Sequence, residues 1–503
     1  MVITSDRLTP WMRWLIPSLT DVLFLVLLLS QVSRRIFTDG DTGWHLWAGL
    51  DALVHGPRAI PDTLSFTRAG APWVNVEWLA DAVFAAAYRH GGYFGETVLV
   101  CVLYAALFTW LYRILLRESG NVPAAAVGTL AAAAIALLQL LARPLVFSFV
   151  LVLAAWELLR HPARATLAAW LLPPLTVLWA NLHPTAFIAP ALAFFVWLTR
   201  GRDRRVLIAA TLSVLALGAT PWGFGWLGTI LPAGDNLKLL SRIDEWQTPR
   251  FNQPRYALVL FALLLAVAAR RAGPRLSRHE TLLGLGCLTG TLVAGRLAPI
   301  ASLLWAPYLA RDLAAWVPVS GGGLLGRLWR AAQDSLAPFE RVFRPGLWPV
   351  LAAVVALWFA PQLAHLFPDA AGGFSGDAFP ERAMAEAARR GLGPRVLNGY
   401  GWGGYISWVY GGRWKVFIDG RAGFYSGAPL DDYLGVLELG PRWAETLERR
   451  HPDWILLEKD APLANTAPLT GRWSVVYRDS MAVILAPVAR PPAGAAAVPR
   501  AGG

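Results

Sequence analysis

The stretch Thr38–Gly49 reads TDGDTGWHLWAG and begins just beyond an apolar run, LIPSLTDVLFLVLLLSQV, that is long enough to span a bilayer. It gathers two aspartates, Asp39 and Asp41, and one histidine, His45, within a dozen residues. Ionisable side chains are costly at membrane depth, so those that collect at the end of a span are candidates for function.

The composition is that of an integral membrane protein. Of 503 residues, 56% are hydrophobic and only 16% are charged, whereas soluble domains carry about a quarter charged residues. Basic cytoplasmic loops are the ordinary cause of a net charge such as +12 in a polytopic protein, so no nucleic-acid partner is predicted. The two cysteines, Cys101 and Cys287, lie in apolar runs and indicate neither a disulfide framework nor a thiolate metal site.

Apolar runs of spanning length predict about eleven transmembrane helices. These runs lie near 14–32, 94–116, 122–142, 145–160, 165–181, 184–200, 206–222, 256–271, 279–295, 297–315 and 346–363. The segment 76–90, VEWLADAVFAAAYRH, has an apolar face interrupted by charges, and we expect it to lie at the membrane interface. The predicted fold class is therefore an α-helical polytopic membrane protein.

Arginines predict the orientation of the chain, because positive residues accumulate in cytoplasmic loops. With a cytoplasmic N-terminus, clusters of arginine lie inside at 113–117, 160–164, 200–205, 270–278 and 327–344. The transmembrane domain is predicted over 1–367, with a first periplasmic loop at 33–92. The chain is thus expected to be a multi-pass protein of a bacterial inner membrane, surrounded by membrane lipids.

A small periplasmic α/β domain is predicted over 368–488, followed by a disordered Pro/Gly/Ala-rich tail at 489–503. Its strand candidates are RVLNG, KVFIDGR, WILLEKD, WSVVYRDS and MAVILAP. The same domain holds NGYGWGGYISWVYGGRWKVFIDGRAGFYSG, whose glycines would let backbone approach a ligand closely. A second interpretation is that this glycine-rich stretch packs against the membrane domain, and we favour it.

Under this topology, ionisable side chains from several separate loops share the outer side of the membrane. Carboxylates can hold a divalent cation or accept a proton, and arginine pairs with phosphate oxygens through its planar fork. Taken singly, each residue also fits a solvated turn, a helix cap or a side chain that reaches to the headgroups. The candidates are Asp39, Asp41, His45, Glu77, Arg143, His183, Glu245 and Arg296.

The pattern resembles the polytopic glycosyltransferases of the GT-C fold, which include protein O-mannosyltransferases, oligosaccharyltransferases and the lipid A aminoarabinose transferase. The resemblance lies in TDGDT after the first helix, in the glutamate of VEWLADAVF, and in the arginine–proline pair of ARPLVFSF. In that family an acid of the first outer loop acts as base or metal ligand. A family acid commonly follows the arginine–proline pair, whereas this chain has Leu145 there.

The resemblance implies an inverting transfer of a sugar from a polyprenyl-phosphate-linked donor to a periplasmic or lipid acceptor, which could be a glycan, a lipid or a protein. Asp41, with Asp39, would be the base or the ligand of a divalent cation such as Mg²⁺ or Mn²⁺. His45 and Glu77 would position the acceptor, and the arginines would hold the donor phosphate. Two alternatives remain open: a flippase-like transporter of lipid-linked saccharides, and a non-catalytic relative that acts in envelope assembly.

Overall fold

The structure is a computed structural model that describes residues 9, 11–230, 241–320 and 323–488. The predicted disordered tail, 489–503, lies outside the described residues. The chain divides into two compact units. The membrane unit comprises Met1–Thr38, His45–Ile60 and Val74–Ser375, and the C-terminal unit comprises Asp39–Trp44, Pro61–Trp73 and Gly376–Gly503.

Every apolar run predicted to span the membrane coincides with a helix. The helices up to residue 375 are Met12–Leu15, Leu19–Ser30, Asp41–His55, Trp78–Ser119, Val122–Ala136, Leu145–Leu159, Ala165–Leu182, Ile188–Thr199, Arg204–Ala216, Leu227–Ile230, Pro254–Arg270, Arg278–Val293, Ala298–Ser320, Leu324–Val342, Leu347–Trp358, Ala360–Leu363 and Pro368–Ala371. The predicted helical membrane fold is thus confirmed. Two helices lie where loops were expected, Asp41–His55 and Leu324–Val342.

Among the described residues, four helices have both the length and the apolar composition to cross a membrane, or five if a bent pair counts as one span. The four are Met12–Ser30, Trp78–Ser119, Val122–Gln139 and Pro162–Leu182, and the bent pair joins Leu324–Val342 to Leu347–Trp358. Shorter apolar helices cover three more of the predicted runs. The chain is a multi-pass membrane protein, while the count of about eleven spans stays a prediction.

The predicted interfacial helix and the span after it form one long element, Trp78–Ser119, with a break between them. Gly91 and Gly92 leave helical geometry there, and Gly92 has a φ of +60° that favours glycine. The first half begins after Glu77, whose carbonyl accepts a hydrogen bond from the backbone N–H of Asp81 (3.0 Å). Glu77 and Asp81 therefore lie one turn apart at the start of this element.

Two short strands, β1 (Ala59–Pro61) and β2 (Pro72–Val74), pair within the first loop. The C-terminal unit contains five further strands: β3 (Arg395–Asn398), β4 (Lys415–Val416), β5 (Trp454–Glu458), β6 (Trp473–Arg478) and β7 (Ala482–Pro487). These match the five predicted strand segments. Its helices are Glu381–Arg390, Gly403–Val409, Ala428–Leu437, Trp443–Arg450 and Pro462–Thr466.

The five strands of the C-terminal unit form one mixed sheet in the order β4-β3-β5-β7-β6. β3 pairs in parallel with β4 and β5, and β7 pairs antiparallel with β5 and β6. Ser65 forms a parallel bridge with Val416, so the first-loop segment Pro61–Trp73 extends the sheet beside β4. The small α/β domain predicted from the sequence is confirmed, and it includes residues from far earlier in the chain.

Candidate functional site

Six of the eight predicted site residues belong to the membrane unit: His45, Glu77, Arg143, His183, Glu245 and Arg296. The other two, Asp39 and Asp41, belong to the C-terminal unit. The six come from separate helix ends and turns, as the sequence predicts, and their side chains form two adjoining groups. One group contains the histidines and Glu77, and the other contains the arginines and Glu245.

His45 and Asp81 form a buried pair at the base of the first group. The Nδ1 atom of His45 lies 2.7 Å from Oδ1 of Asp81, whose side chain is fully buried. Asn75 donates a hydrogen bond from Nδ2 to the other carboxylate oxygen of Asp81, at 2.8 Å. A buried carboxylate with two partners fixes the orientation of the imidazole. Asp81 is not among the residues predicted from the sequence, although its position one helical turn after Glu77 is a usable signal.

His183 contacts Glu77 from a turn between two apolar helices. The backbone N–H of Thr185 donates to Nδ1 of His183 at 3.2 Å, which assigns the proton of the neutral ring to Nε2. Nε2 lies 3.3 Å from Oε1 of Glu77 and is therefore placed to donate to it. Burial holds the pKa of His183 well below its ordinary value, and the nearby Arg296 lowers that pKa further. His183 is thus a neutral hydrogen-bond donor to Glu77.

Glu77 has a strongly perturbed acidity. Burial raises the pKa of its carboxyl to about 7, against an opposing effect of His45 and with a contribution from Asp81 in the same direction. Arg296 and Arg143 lower it less. The side chain is 15% exposed, so it is enclosed but reachable. A carboxyl that is half ionised near neutral pH is suited to accept and return a proton.

In the second group, Glu245 lies between two arginines and contacts both. It forms an ion pair with Arg296 and lies 3.6 Å from Nη1 of Arg143, while Gln139 donates to its other oxygen at 3.0 Å. Although burial opposes ionisation, Arg296 and Arg143 hold the pKa of Glu245 below its ordinary value. Two guanidinium groups and one carboxylate leave one net positive charge. Such a group can hold a second anion, for which a phosphate has matching geometry.

The backbone around these arginines is set by short turns. Arg296 belongs to the turn Gly295–Leu297 between two helices, and the N–H of Gly295 donates to the carbonyl of Gln247 at 3.1 Å. That bond ties the turn to Asp244–Trp246, which carries Glu245. The guanidinium of Arg296 lies 5.0 Å from the ring centroid of Trp246, a cation–π distance. Arg143 precedes the helix Leu145–Leu159.

Asp39 and Asp41 lie at the start of the helix Asp41–His55. Asp39 accepts a hydrogen bond from the backbone N–H of Asp41 at 2.9 Å, an arrangement typical of a helix start. This hydrogen bond forms a tight turn at Asp39, and a helix follows directly. Within the C-terminal unit, the carboxylate of Asp41 packs on Gly420: a Cβ added there would lie 1.8 Å from Oδ1.

A divalent cation such as the one predicted is held by oxygen or nitrogen ligands that lie close together. Among the described residues, no three His, Cys, Asp or Glu side chains are grouped so that they could hold a metal ion. In the first group His183 presents an N–H toward Glu77, and its other nitrogen already accepts from Thr185. The metal-ligand role of Asp41 stays a prediction.

Structural comparison finds similarity to the crystal structure of ArnT from Cupriavidus metallidurans bound to undecaprenyl phosphate, with a TM-score of 0.48 and 16% identity. The match covers 93% of this chain and 98% of that one. No protein-family model matches the sequence, and no curated protein is significantly similar to it.

Proposed function

We propose that this chain is a membrane glycosyltransferase that moves a sugar from a polyprenyl-phosphate-linked donor to an acceptor hydroxyl. The observation that carries the proposal is the adjacency, within the membrane unit, of an arginine pair and a carboxyl with a pKa of about 7. Phosphate recognition and proton removal are the two operations that such a transfer requires. By the distribution of arginines, the reaction faces the periplasm.

The arginine group supports binding of the donor phosphate. In the transfer, the bond between the anomeric carbon and the phosphate oxygen breaks, and its electron pair leaves with the polyprenyl phosphate. Arg143 and Arg296 would stabilise the charge that develops on this leaving group. Glu245 keeps both guanidinium groups in one place before the donor arrives. The side chains of all three residues are between 17% and 22% exposed, so a ligand can reach them.

The proton of the acceptor hydroxyl needs a base as the new bond to the anomeric carbon forms. Glu77 is supported as this base by its pKa and by the N–H that His183 presents to its carboxylate. Asp81 holds His45, whose Nδ1 lies 4.0 Å from Oε2 of Glu77. His45 would therefore help to position Glu77. Asp41 remains the base that the family resemblance implies. A base opposite the leaving group gives inversion in a single displacement.

The proposal is tested with the full chain in membrane vesicles and a panel of undecaprenyl-phosphate-linked hexoses and pentoses labelled in the lipid. For one donor, we expect undecaprenyl phosphate to be released faster in these vesicles than in vesicles that lack the protein. Loss of a general base lowers the reaction rate by about 10²–10⁴-fold. The rate should therefore fall by at least about 100-fold in whichever of Glu77→Gln and Asp41→Asn removes the base.

Asp51→Asn is the matched control, since it changes an aspartate of the same helix that pairs with Arg58 at the surface. Loss of rate in Glu77→Gln alone would assign the base to Glu77, and loss in Asp41→Asn alone would assign it to Asp41. The proposed function would be contradicted if no donor of the panel were turned over, or if both variants kept full activity.

A further inference from the structure

The C-terminal unit contains the loop Asp419–Gly420–Arg421, which packs directly on Asp41. A Cβ at Gly420 would lie 1.8 Å from Oδ1, 2.3 Å from Cγ and 2.5 Å from Oδ2 of Asp41. All of these distances are far below van der Waals contact, so any side chain at position 420 would displace the carboxylate. The place of the Asp41 carboxylate therefore depends on the absence of a side chain at residue 420.

The segment around Asp41 packs on the glycine-rich stretch in the same manner. A Cβ on Gly40 would lie 2.2 Å from the carbonyl oxygen of Gly401, and a Cβ on Gly43 would lie 2.2 Å from that of Gly404. Glycine faces glycine at both positions, and the two backbones meet without intervening side chains. At these two positions the glycine-rich stretch therefore packs on backbone of its own unit, and its packing against the membrane domain stays a prediction.

Arg421 fixes the loop from the other side. Its guanidinium donates to Asp419 at 2.7 Å and to Asp62 at 2.8 Å, and the side chains of Arg421, Asp419 and Asp62 are completely buried. Tyr425 donates its hydroxyl to Asp419 at 3.0 Å. The ring of Trp73 lies 5.1 Å from the guanidinium. A buried network with this many partners holds a single geometry.

Asp62 and Trp73 mark the two ends of the first-loop segment that joins the C-terminal unit. Within this segment, Thr67 donates its hydroxyl to the carbonyl of Phe417 at 2.6 Å, and Lys415 donates to the carbonyl of Thr63 at 2.7 Å. These bonds place the segment beside the strand that leads into Asp419. The loop 419–421 is therefore held on one side by its own strand and on the other by the first loop.

We infer that the loop Asp419–Gly420–Arg421 of the C-terminal domain is a positioning element for Asp41 in the transfer reaction. Gly420 supplies the space for the Asp41 carboxylate, and Arg421 keeps Gly420 at the required place through Asp419 and Asp62. The inference rests on the proposed function in assigning a part in transfer to Asp41. It gives the C-terminal domain a direct role in the reaction.

The geometry is tested without any activity, by a disulfide between Asp41→Cys and Gly420→Cys in the full chain. Mild oxidation followed by protease digestion should yield a linked pair of peptides that contain residues 41 and 420. The control pair combines Asp41→Cys with Gly435→Cys, a glycine whose Cβ would meet no atom within 4 Å. Both pairs retain the native cysteines. Absence of the linked peptide, or equal linkage in the control, would overturn the inference.

The functional part is tested with Gly420→Ala against Gly435→Ala. A displacement of about 1 Å at a reacting group costs about 100-fold in rate. We expect Gly420→Ala to lower kcat by about that factor while the KM for the donor stays unchanged, and Gly435→Ala to match the wild type. Wild-type kcat in Gly420→Ala, or a rise in KM with kcat preserved, would contradict a positioning role.

Asp419→Asn provides a second variant, in case alanine at position 420 prevents folding. It leaves Gly420 in place and removes one charge that holds Arg421. We expect a lower kcat at constant KM, and a wild-type kcat would overturn the inference. If the wild type turns over no donor, the proposed function fails, whereas the disulfide still decides whether the loop lies against Asp41.

Discussion

Glu77 shows how the setting of one residue determines its chemistry. An isolated glutamate is ionised at neutral pH and is a weak base. Here burial raises the pKa to about 7, because water no longer solvates the charged form. The neighbouring His183 is neutral, since burial lowers its pKa, and it can donate a hydrogen bond to the carboxylate. The result is a base with a proton affinity matched to a neutral environment.

The pH dependence of transfer follows from this pKa. A base acts in its ionised form, so the rate should rise with pH and reach half its maximum near pH 7. The ordinary glutamate value of 4.5 would instead give a rate already at its plateau at neutral pH. The measurement is the initial rate of undecaprenyl phosphate release in buffers of constant ionic strength. A rate that stays flat between about pH 5.5 and about pH 8 would contradict the role of Glu77.

The sequence predicts most of the residues in the membrane unit cluster, because positive-inside topology places helix ends on a common side. Glu77, Arg143, His183, Glu245 and Arg296 could be chosen in that way. Asp81 is one helical turn from Glu77, but its contact with His45 is a tertiary one that sequence spacing does not reveal. The pairing of both arginines with Glu245 likewise leaves no trace in sequence spacing.

At the scale of elements, apolar composition predicted the helices well, whereas contacts between distant segments escaped prediction. The aspartates and the glycine of TDGDT are typical of a turn. The helix Asp41–His55 that follows has only moderate amphipathic character, so its apolar pattern does not predict it. The segment Pro61–Trp73 pairs with residues about 350 positions later. No local periodicity encodes such a pairing, so the first loop could not be assigned to the C-terminal sheet.

The buried network around Arg421 gives a prediction about the segment Pro61–Trp73. Arg421→Leu removes the partner of two fully buried carboxylates, which typically costs about 3–5 kcal/mol. The control Arg389→Leu removes an exposed ion pair with Glu386, and a pair that solvent screens in this way contributes little to stability. Thermal unfolding and trypsin cleavage of the full chain measure the difference. Equal stability of the two variants would show that the network does not hold the segment Pro61–Trp73 in place.

At the scale of the whole molecule, the chain enters the C-terminal unit three times, at Asp39–Trp44, at Pro61–Trp73 and from Gly376 onward. A single domain boundary at residue 367 therefore describes only the last of these three segments. The sequence predicts two kinds of unit because composition changes near that point. It cannot predict that short pieces of the first loop belong to the second unit, since they are too short to carry a composition of their own.

In the proposed reaction, the arginine group of the membrane unit holds the phosphate of a polyprenyl-linked donor. The most direct measurement is the dissociation constant of undecaprenyl phosphate for the purified chain in nanodiscs. A hydrogen bond to a charged group contributes about 1.5–3 kcal/mol, so Arg296→Ala should weaken binding by at least about 10-fold. Arg311→Ala, which removes a comparably exposed arginine paired with Glu280, should bind as the wild type does. Equal affinity in the wild type and Arg296→Ala would contradict phosphate binding by the arginine group.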